Sequence, residues 1–347
     1  MNEARRLGLW TEGRNALPAG PWNAITDVPG VSVGHRTISG AGLATGVTAV
    51  LPQAGDLFRS KPRAAVEVIN GFGKSAGLMQ VAELGTLETP ILLTNTFGVA
   101  ACCEALIRRA IAENPEIGRA TSTVNPLVLE CNDGSINDIQ RLAVREADAL
   151  AAIADARSGA FEQGAVGAGT GMTAFGFKAG IGSASRRMRI GAQEFMLGAL
   201  VLANFGRAGD LVLPDGRRPD PRGPRPGEKG SVIVVLGTDL PLDGRQLQRI
   251  ARRAGAGLAR LGAFWGNGSG DVALAFTTAD PLPHHGTDPF RTLRRLDDGL
   301  IDLPFRAAAE TVQEAVLNAL CAAPATGGRD GRHFPALADW AGAGAGQ

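Results

Sequence analysis

Phe264-Trp-Gly-Asn-Gly-Ser-Gly-Asp-Val-Ala-Leu-Ala-Phe276 joins a glycine-rich turn to an apolar run that is typical of a buried strand. The glycines on either side of Ser269 allow backbone conformations with positive φ at little steric cost. In such a conformation the Ser269 hydroxyl can attack the carbonyl of Gly268, and hydrolysis of the resulting ester leaves Ser269 as a new N-terminus. An N-terminal serine supplies its own base, because an α-amine has a pKa of roughly 7.7–8.0. By itself, the stretch also fits a glycine-rich hairpin turn that happens to contain a serine.

No histidine offers a base for a conventional Ser-His-Asp triad. The lipase-type nucleophile motif needs a glycine two residues before the serine, and this chain has Asn267 there. His284 and His285 stand in a Pro-His-His-Gly sequence, which favours a surface turn over a catalytic base. The four cysteines and four histidines lack the close spacing of a zinc site, so the sequence predicts no metal.

The composition is that of an ordinary globular protein without a dominant charge. The 347 residues are 44% hydrophobic and 20% charged, and 35 Lys and Arg balance 34 Asp and Glu. This balance argues against a protein that binds nucleic acid or a membrane surface, and no stretch reaches the ~18 apolar residues of a membrane span. The chain contains no tyrosine, which excludes chemistry that needs a phenol. Because an export signal and paired cysteine spacing are both lacking, we expect a cytoplasmic protein with free thiols.

Short apolar runs alternate with helical periodicity, but without the even rhythm of a doubly wound sheet. The apolar runs predict strands at 65–69, 90–94, 127–130, 231–236 and 271–276. Periodic apolar positions predict helices over 99–114, 136–156, 243–261 and 305–323. The sequence therefore predicts a mixed α/β protein.

Residues 206–230 differ from the rest of the chain because they are dense in Pro, Gly and Arg. This composition predicts an exposed, flexible loop. A basic arm that binds a partner is the alternative, although acidic residues within the segment dilute its charge.

Many further motifs accompany Gly266-Asn-Gly-Ser-Gly270 in a fixed order. They are Asn23-Ala-Ile-Thr-Asp-Val-Pro-Gly-Val-Ser-Val-Gly-His35, Thr45-Gly-Val-Thr-Ala-Val50, Asn70-Gly-Phe-Gly-Lys74, Glu83-Leu-Gly-Thr-Leu-Glu-Thr-Pro-Ile91, Thr94-Asn-Thr96, Cys131-Asn-Asp-Gly-Ser-Ile-Asn-Asp138, Gly167-Ala-Gly-Thr-Gly-Met172 and Lys178-Ala-Gly-Ile-Gly-Ser-Ala-Ser-Arg186. By these motifs, which run from about residue 22 to 323, the chain resembles the L-aminopeptidase/D-esterase (DmpA-like) family of self-cleaving N-terminal-nucleophile hydrolases. That family includes the β-peptidyl aminopeptidases.

The resemblance implies a fold and a maturation step. It implies one domain over residues 1–347, built as a four-layer αββα sandwich. The precursor is expected to cut itself between Gly268 and Ser269, which gives an α chain of residues 1–268 and a β chain of residues 269–347. The resemblance further implies a homo-oligomer, a tetramer of αβ units, and no metal or organic cofactor.

The resemblance also implies roles for three residues. Ser269 would be the nucleophile and, through its amine, the general base. Asn204 matches the family asparagine that stabilises the oxyanion, although an asparagine there can also cap a turn. Glu310 matches the acidic residue near the nucleophile's amine; the alternatives are a solvated helix carboxylate at Glu310 and the same role for Glu314.

Two positions depart from the family pattern. Within the Asn-Asp-Gly motif, where well-studied members have a tyrosine, this chain has Ser135. Ala308 stands where the family has a serine two residues before the acid. Together with Asn132, these residues form the predicted substrate pocket, and loss of the phenol predicts a substrate preference that differs from those members.

The sequence thus predicts a self-processed serine aminopeptidase or amidohydrolase. Its substrates would be small peptides, amides or esters, with those of β-, ω- or D-amino acids among the candidates, cleaved through an acyl-enzyme on Ser269. An acyltransferase of the ornithine-acetyltransferase type is one alternative. The other alternative is a binding homologue without catalysis, which the intact Gly-Asn-Gly-Ser-Gly sequence disfavours.

Overall fold

Two large sheets lie face to face in the computed structural model, which describes residues 2–13, 16–221, 230–286 and 288–343. The first sheet has the strand order β1 (Ser32–Gly40), β2 (Leu43–Leu51), β4 (Ile91–Asn95), β5 (Leu127–Cys131). The second sheet has the order β3 (Ser60–Gly71), β11 (Gly270–Pro283), β10 (Ser231–Thr238), β9 (Gln193–Asn204), β8 (Ile181–Ile190). Within these mixed sheets, β4 pairs with β5 and β10 with β11 in parallel, and the other pairs are antiparallel.

Smaller elements complete the described chain. Two short hairpins are formed by β6 (Thr173–Ala174) with β7 (Phe177–Lys178) and by β12 (Thr326–Gly327) with β13 (His333–Phe334). The helices are α1 (Glu3–Arg6), α2 (Leu78–Leu84), α3 (Val99–Glu113), α4 (Glu146–Ala154), α5 (Gly244–Ala259), α6 (Asp302–Cys321) and α7 (Leu337–Ala343). None of these described helices is long and apolar enough to cross a membrane.

The core divides into layers because strand side chains alternate between the two faces of a sheet. In β10, Val232 and Val234 pack with α5 and α6, whereas Ile233 and Val235 pack between the two sheets. Helices α3 and α4 cover the outer face of the first sheet in the same way. The predicted αββα sandwich is therefore confirmed.

Most predicted elements are present, with two differences. Helix α4 begins only at Glu146, because Leu142 has a φ of 48° that ends a short 3-10 turn at Ile139–Arg141. Strands β1, β2, β8 and β9 were not predicted. The sequences of β1 and β8, SVGHRTISG and IGSASRRMRI, mix glycine, arginine and serine, so they lack the apolar runs that mark the other strands.

Helix α6 crosses β8 at close range. A Cβ atom on Gly182 would lie 2.0 Å from the carbonyl oxygen of Ala315 and 2.5 Å from the nitrogen of Ala319, so only glycine allows this approach. Asn318 Nδ2 also donates to the carbonyl of Ser183 at 2.9 Å. The C-terminal half of α6 therefore lies over the first residues of β8.

The predicted exposed loop at 206–230 is only partly exposed. Leu211 and Leu213 are buried in the cluster beneath α5 and α6, and Val212 N donates to the carbonyl of Leu261 at 3.1 Å. The expectation of an exposed segment is thus wrong for these residues, because their apolar side chains contribute to the core. Residues 222–229 lie outside the described residues.

Candidate active site

Four strand ends converge at one end of the second sheet. Ser269 directly precedes β11 and is fully buried. In the register of the sheet, Gly270 lies opposite Gly71 of β3 on one side and Ser231 of β10 on the other. Ser231 in turn lies opposite Asn204 of β9. The sheet therefore places Ser269 and Asn204 at the same end.

Hydrogen bonds fix the turn that contains Ser269. Its amide donates to the carbonyl of Gly266 at 2.9 Å. The side-chain amide of Asn70 donates to the carbonyl of Ser269 and, at 3.2 Å, to that of Gly266. Trp265, at the start of this turn, has a φ of 54°, a left-handed conformation that is costly for a bulky residue. The Gly268–Ser269 peptide bond thus lies inside a turn whose backbone is held by hydrogen bonds.

The hydroxyl of Ser269 has a carboxylate partner that the sequence reasoning missed. Ser269 Oγ donates to Oδ1 of Asp271 at 2.7 Å, and both residues are fully buried. Side chains two residues apart along a strand point to the same face. The spacing of Ser269 and Asp271 at the start of β11 could therefore have predicted this pair.

A second carboxylate, Glu130 at the end of β5, lies close to the same strand end. Its Oε1 accepts the amide of Lys74 at 2.7 Å and its Oε2 accepts the hydroxyl of Thr96. A Cβ on Gly73 would lie 3.6 Å from Glu130 Oε1 and 3.8 Å from Gly270 Cα, so Gly73 lies between the Glu130 carboxylate and the first residue of β11. Glu130 was also missed, although it directly precedes the Cys131–Asp138 motif.

Asn204 has both of its amide atoms engaged. Nδ2 donates to the carbonyl of Asn132 at 3.0 Å, and Oδ1 accepts the amide of Thr173 at 3.1 Å. Asn204 lies two strands from β11, about 10 Å away at the usual strand spacing. Because the amide nitrogen has two hydrogens, one remains after the bond to Asn132. The structure thus brings the predicted residues Asn204 and Asn132 together.

Lys178 stabilises the loop that contacts Asn204. Its buried Nζ donates to the carbonyls of Gly169, Met172 and Ala179 at 3.2, 2.9 and 2.6 Å. Burial lowers the pKa of this ammonium to about 7. Since Met172 precedes Thr173, these bonds position the amide that fixes Asn204.

Glu310 does not lie near Ser269, contrary to the prediction. Its Oε2 accepts the amide of Leu17 at 3.0 Å and Nε of Arg186 at 3.3 Å, and its Oε1 accepts Nε of Arg306 at 2.7 Å. Glu310 is therefore part of an ion cluster between α6 and β8.

The register of the sheet shows how far this cluster lies from the nucleophile. Across β8, β9, β10 and β11, Arg186 is level with Thr277, which is eight residues beyond Ser269. This separation is about 26 Å along the strands. The prediction was wrong because α6 runs antiparallel to β8, which places Glu310 at the opposite end of the sheet.

Glu314, the alternative acid, belongs to the same cluster. It is fully buried and pairs with Nη2 of Arg186 at 2.7 Å and with Nε of Arg5 at 2.5 Å. Ala308, six residues before Glu314 in α6, is buried in the core between this helix and the second sheet. Neither residue belongs to the site at Ser269, so the assignment of Ala308 to the substrate pocket is also wrong.

Ser135 lies in the turn that follows Asn132. Its side chain is exposed, and its carbonyl accepts the amide of Arg329 at 3.1 Å. Asp133 stabilises the same turn by accepting hydrogen bonds from Asn137 at 3.0 Å and Asn95 at 3.1 Å. Burial raises the pKa of Asp133, and its hydrogen bonds partly oppose this effect.

The cysteines do not compete with Ser269 as nucleophiles. Cys131, at the end of β5, is a free thiol whose Sγ contacts the carbonyl of Ser231 at 3.4 Å. Burial raises its pKa well above the ordinary value, and raises those of Cys102 and Cys321 to about 12. Thiols of this kind remain protonated and inert at neutral pH. Among the described residues, no group of three or more His, Cys, Asp or Glu could hold a metal ion.

Comparison with known proteins assigns this site to a family. The model of peptidase family S58 matches residues 23–334. The chain belongs to peptidase family S58. The family match includes Ser269, Asn204 and the residues around them, so this peptidase is a serine aminopeptidase of the N-terminal-nucleophile type.

Relatives of this S58 peptidase cover nearly the whole chain. It is 36% identical to Beta-peptidyl aminopeptidase BapA of Sphingosinicella microcystinivorans over 94% of this chain and 87% of that protein. A Burkholderia sp. beta-aminopeptidase structure has a TM-score of 0.88 and 36% identity, and covers 100% of this chain and 99% of that chain.

A second similar structure is the L-aminopeptidase D-Ala-esterase/amidase of Ochrobactrum anthropi, described as a prototype for the serine aminopeptidases and as a variant of the Ntn hydrolase fold. It superposes on the S58 peptidase with a TM-score of 0.87 and 38% identity, over 97% of this chain and 96% of that chain.

Proposed function

We propose that this S58 peptidase is made as a precursor that cuts itself between Gly268 and Ser269. The two products are an α chain of residues 1–268 and a β chain of residues 269–347. The main support is the turn at Gly266–Ser269, in which the Ser269 side chain is buried and hydrogen bonds from Asn70 hold the backbone on both sides of that peptide bond.

The freed Ser269 then acts as the nucleophile of the mature enzyme. Its α-amine takes the proton of Oγ while Oγ attacks the carbonyl of the substrate's N-terminal residue. The remaining N–H of Asn204 Nδ2 is a donor for the negative charge that develops on that carbonyl oxygen. The bond from that carbonyl carbon to the rest of the substrate then breaks, and the leaving amine or alcohol takes the proton from the α-amine. Water then hydrolyses the acyl-enzyme, which releases the N-terminal residue and restores the Ser269 hydroxyl.

Small peptides, amides and esters with a free N-terminal residue are the proposed substrates. The similar proteins are named as β-peptidyl aminopeptidases and as an L-aminopeptidase D-Ala-esterase/amidase. These names point to N-terminal β-amino acids, L-amino acid amides and D-alanine esters as the first compounds to examine. We also propose that the enzyme assembles as a tetramer of αβ units.

Intact mass under denaturing conditions tests the proposal, with Ser269→Ala as the matched control. We expect two fragments that meet at Gly268 and Ser269 in the wild type and one full-length chain in the control. The processed protein is then assayed with β-homoamino acid and L-amino acid p-nitroanilides and with a D-alanine ester. A wild-type protein that stays intact, or that is cleaved but hydrolyses none of these substrates, would contradict the proposed function.

A further inference from the structure

Self-cleavage needs a base that the mature enzyme does not need. Before the Gly268–Ser269 bond breaks, the nitrogen of Ser269 is an amide, and an amide cannot accept the proton of Oγ. The α-amine proposed as the base in the mature enzyme therefore does not yet exist. The precursor must take its base from elsewhere in the fold.

Asp271 is placed to be that base. Its Oδ1 accepts the Ser269 hydroxyl at 2.7 Å, and both side chains are fully buried. In the sheet, Asp271 lies opposite Asn70, whose side-chain amide donates hydrogen bonds to the carbonyls of Ser269 and Gly266. Asn70 and Asp271, which lie opposite each other, thus hold the backbone of the turn and the hydroxyl that must attack.

We propose that Asp271 accepts the Ser269 proton during self-cleavage, an inference that rests on the proposed function. As Asp271 Oδ1 takes the proton, Oγ bonds to the carbonyl carbon of Gly268. The carbon–nitrogen bond between Gly268 and Ser269 then breaks, and Asp271 passes the proton to the Ser269 nitrogen, which becomes the α-amine. Water hydrolyses the ester between Gly268 and Oγ, which yields the Gly268 carboxylate and restores the hydroxyl.

The rate of precursor cleavage, followed by intact mass after synthesis is stopped, tests this role. Asp271→Asn keeps the shape of the side chain and an acceptor oxygen but cannot take a proton. We expect it to slow cleavage by about 100-fold or more. Asp271→Glu keeps a carboxylate and is expected to cleave at least about ten-fold faster than Asp271→Asn. Equal rates in these two variants would overturn the proposal.

Asp239→Asn is the matched control, because Asp239 is half-buried at the opposite end of β10, where Oδ1 accepts the amide of Met196 at 2.7 Å. It is expected to cleave at the wild-type rate. The Asp271→Asn precursor must unfold on heating at the same temperature as the Ser269→Ala precursor, which shows that it is folded. If it does not fold, Asp271→Ser, a smaller neutral replacement, takes its place in the comparison.

Hydroxylamine locates the step at which Asp271 acts, because it cleaves the ester that forms after the acyl shift. We expect no fragments when hydroxylamine is added to the Asp271→Asn precursor, since the shift itself is blocked. Rapid cleavage with hydroxylamine would overturn the proposal by placing Asp271 in ester hydrolysis. A wild type that stays intact contradicts the proposed function, whereas wild type and Asp271→Asn cleaving alike contradict only this inference.

Discussion

At the scale of single residues, the active site depends on side chains that hold backbone groups. Asn70 holds the two carbonyls of the Ser269 turn, and Asn204 links the carbonyl of Asn132 to the amide of Thr173. Removing such an amide is costly where it is buried, as at Asn204, because its partners lose hydrogen bonds that water cannot replace. The effects of such residues on stability and on catalysis must therefore be separated by measurement.

Asn204→Ala tests the proposed oxyanion donor. We expect kcat of the processed enzyme to fall by about 10²–10³-fold, since one donor to the developing negative charge is lost. Steady-state kinetics and thermal unfolding are measured on the same preparation.

Asn318→Ala is the control for this substitution, because Asn318 is an equally buried amide with two bonds to backbone groups on Ser183 and Ala4. It is expected to lower stability by about 1–3 kcal/mol and leave kcat near the wild-type value. If both variants lose kcat to the same extent, Asn204 has a structural role only.

At the scale of elements, helix α6 is bound to β8 by close backbone packing at one end and by ion pairs between side chains at the other. Gly182 allows contact with the backbone of Ala315 and Ala319, whereas Arg186 pairs with Glu310 and Glu314. A buried arginine needs such partners, because an unpaired charge in the interior is strongly destabilising. The acidic residues of α6 are therefore explained by the packing of this helix.

Glu310→Gln tests this structural role. We expect a loss of about 1–3 kcal/mol in the free energy of unfolding, since three donors lose a charged acceptor, while self-cleavage and kcat stay within about two-fold of wild type. Chemical denaturation and steady-state kinetics measure the two effects.

Glu113→Gln serves as the comparison, because Glu113 forms a partly exposed pair with Arg109 one turn away on α3. Its expected cost is below about 1 kcal/mol. A large loss of kcat in Glu310→Gln without a loss of stability would instead place Glu310 in the active site.

At the scale of the whole molecule, the proposed cleavage would divide the second sheet between two chains. Strand β11 of the β chain pairs with β3 and β10 of the α chain, and α6 of the β chain covers β8 and β9. The two chains would therefore share a sheet and a core.

We expect the cleaved chains to stay together. Size-exclusion chromatography under native conditions should give one peak that contains both fragments, at the elution volume of uncleaved Ser269→Ala. Scanning calorimetry should give one cooperative transition, because the strands of the shared sheet unfold together. Separate elution of the fragments in buffer would contradict this arrangement.

Features that depend on neighbouring residues could be predicted from the sequence. Apolar runs located β5, β10 and β11, helical periodicity located α3, α5 and α6, and the glycines around Ser269 marked the turn that directly precedes β11. The collinear motifs also identified the family, which the match to peptidase family S58 confirmed.

Which distant residues lie near Ser269 could be seen only in the folded chain. Glu130 directly precedes a motif and Glu310 lies within a predicted helix, and nothing local in the sequence distinguishes the one near the site from the one about 26 Å away along the strands. That distinction depends on the strand order, the register and the direction in which α6 crosses β8. These are set by contacts between residues far apart in the chain, because a packed core and paired sheets fix the position of whole elements at once.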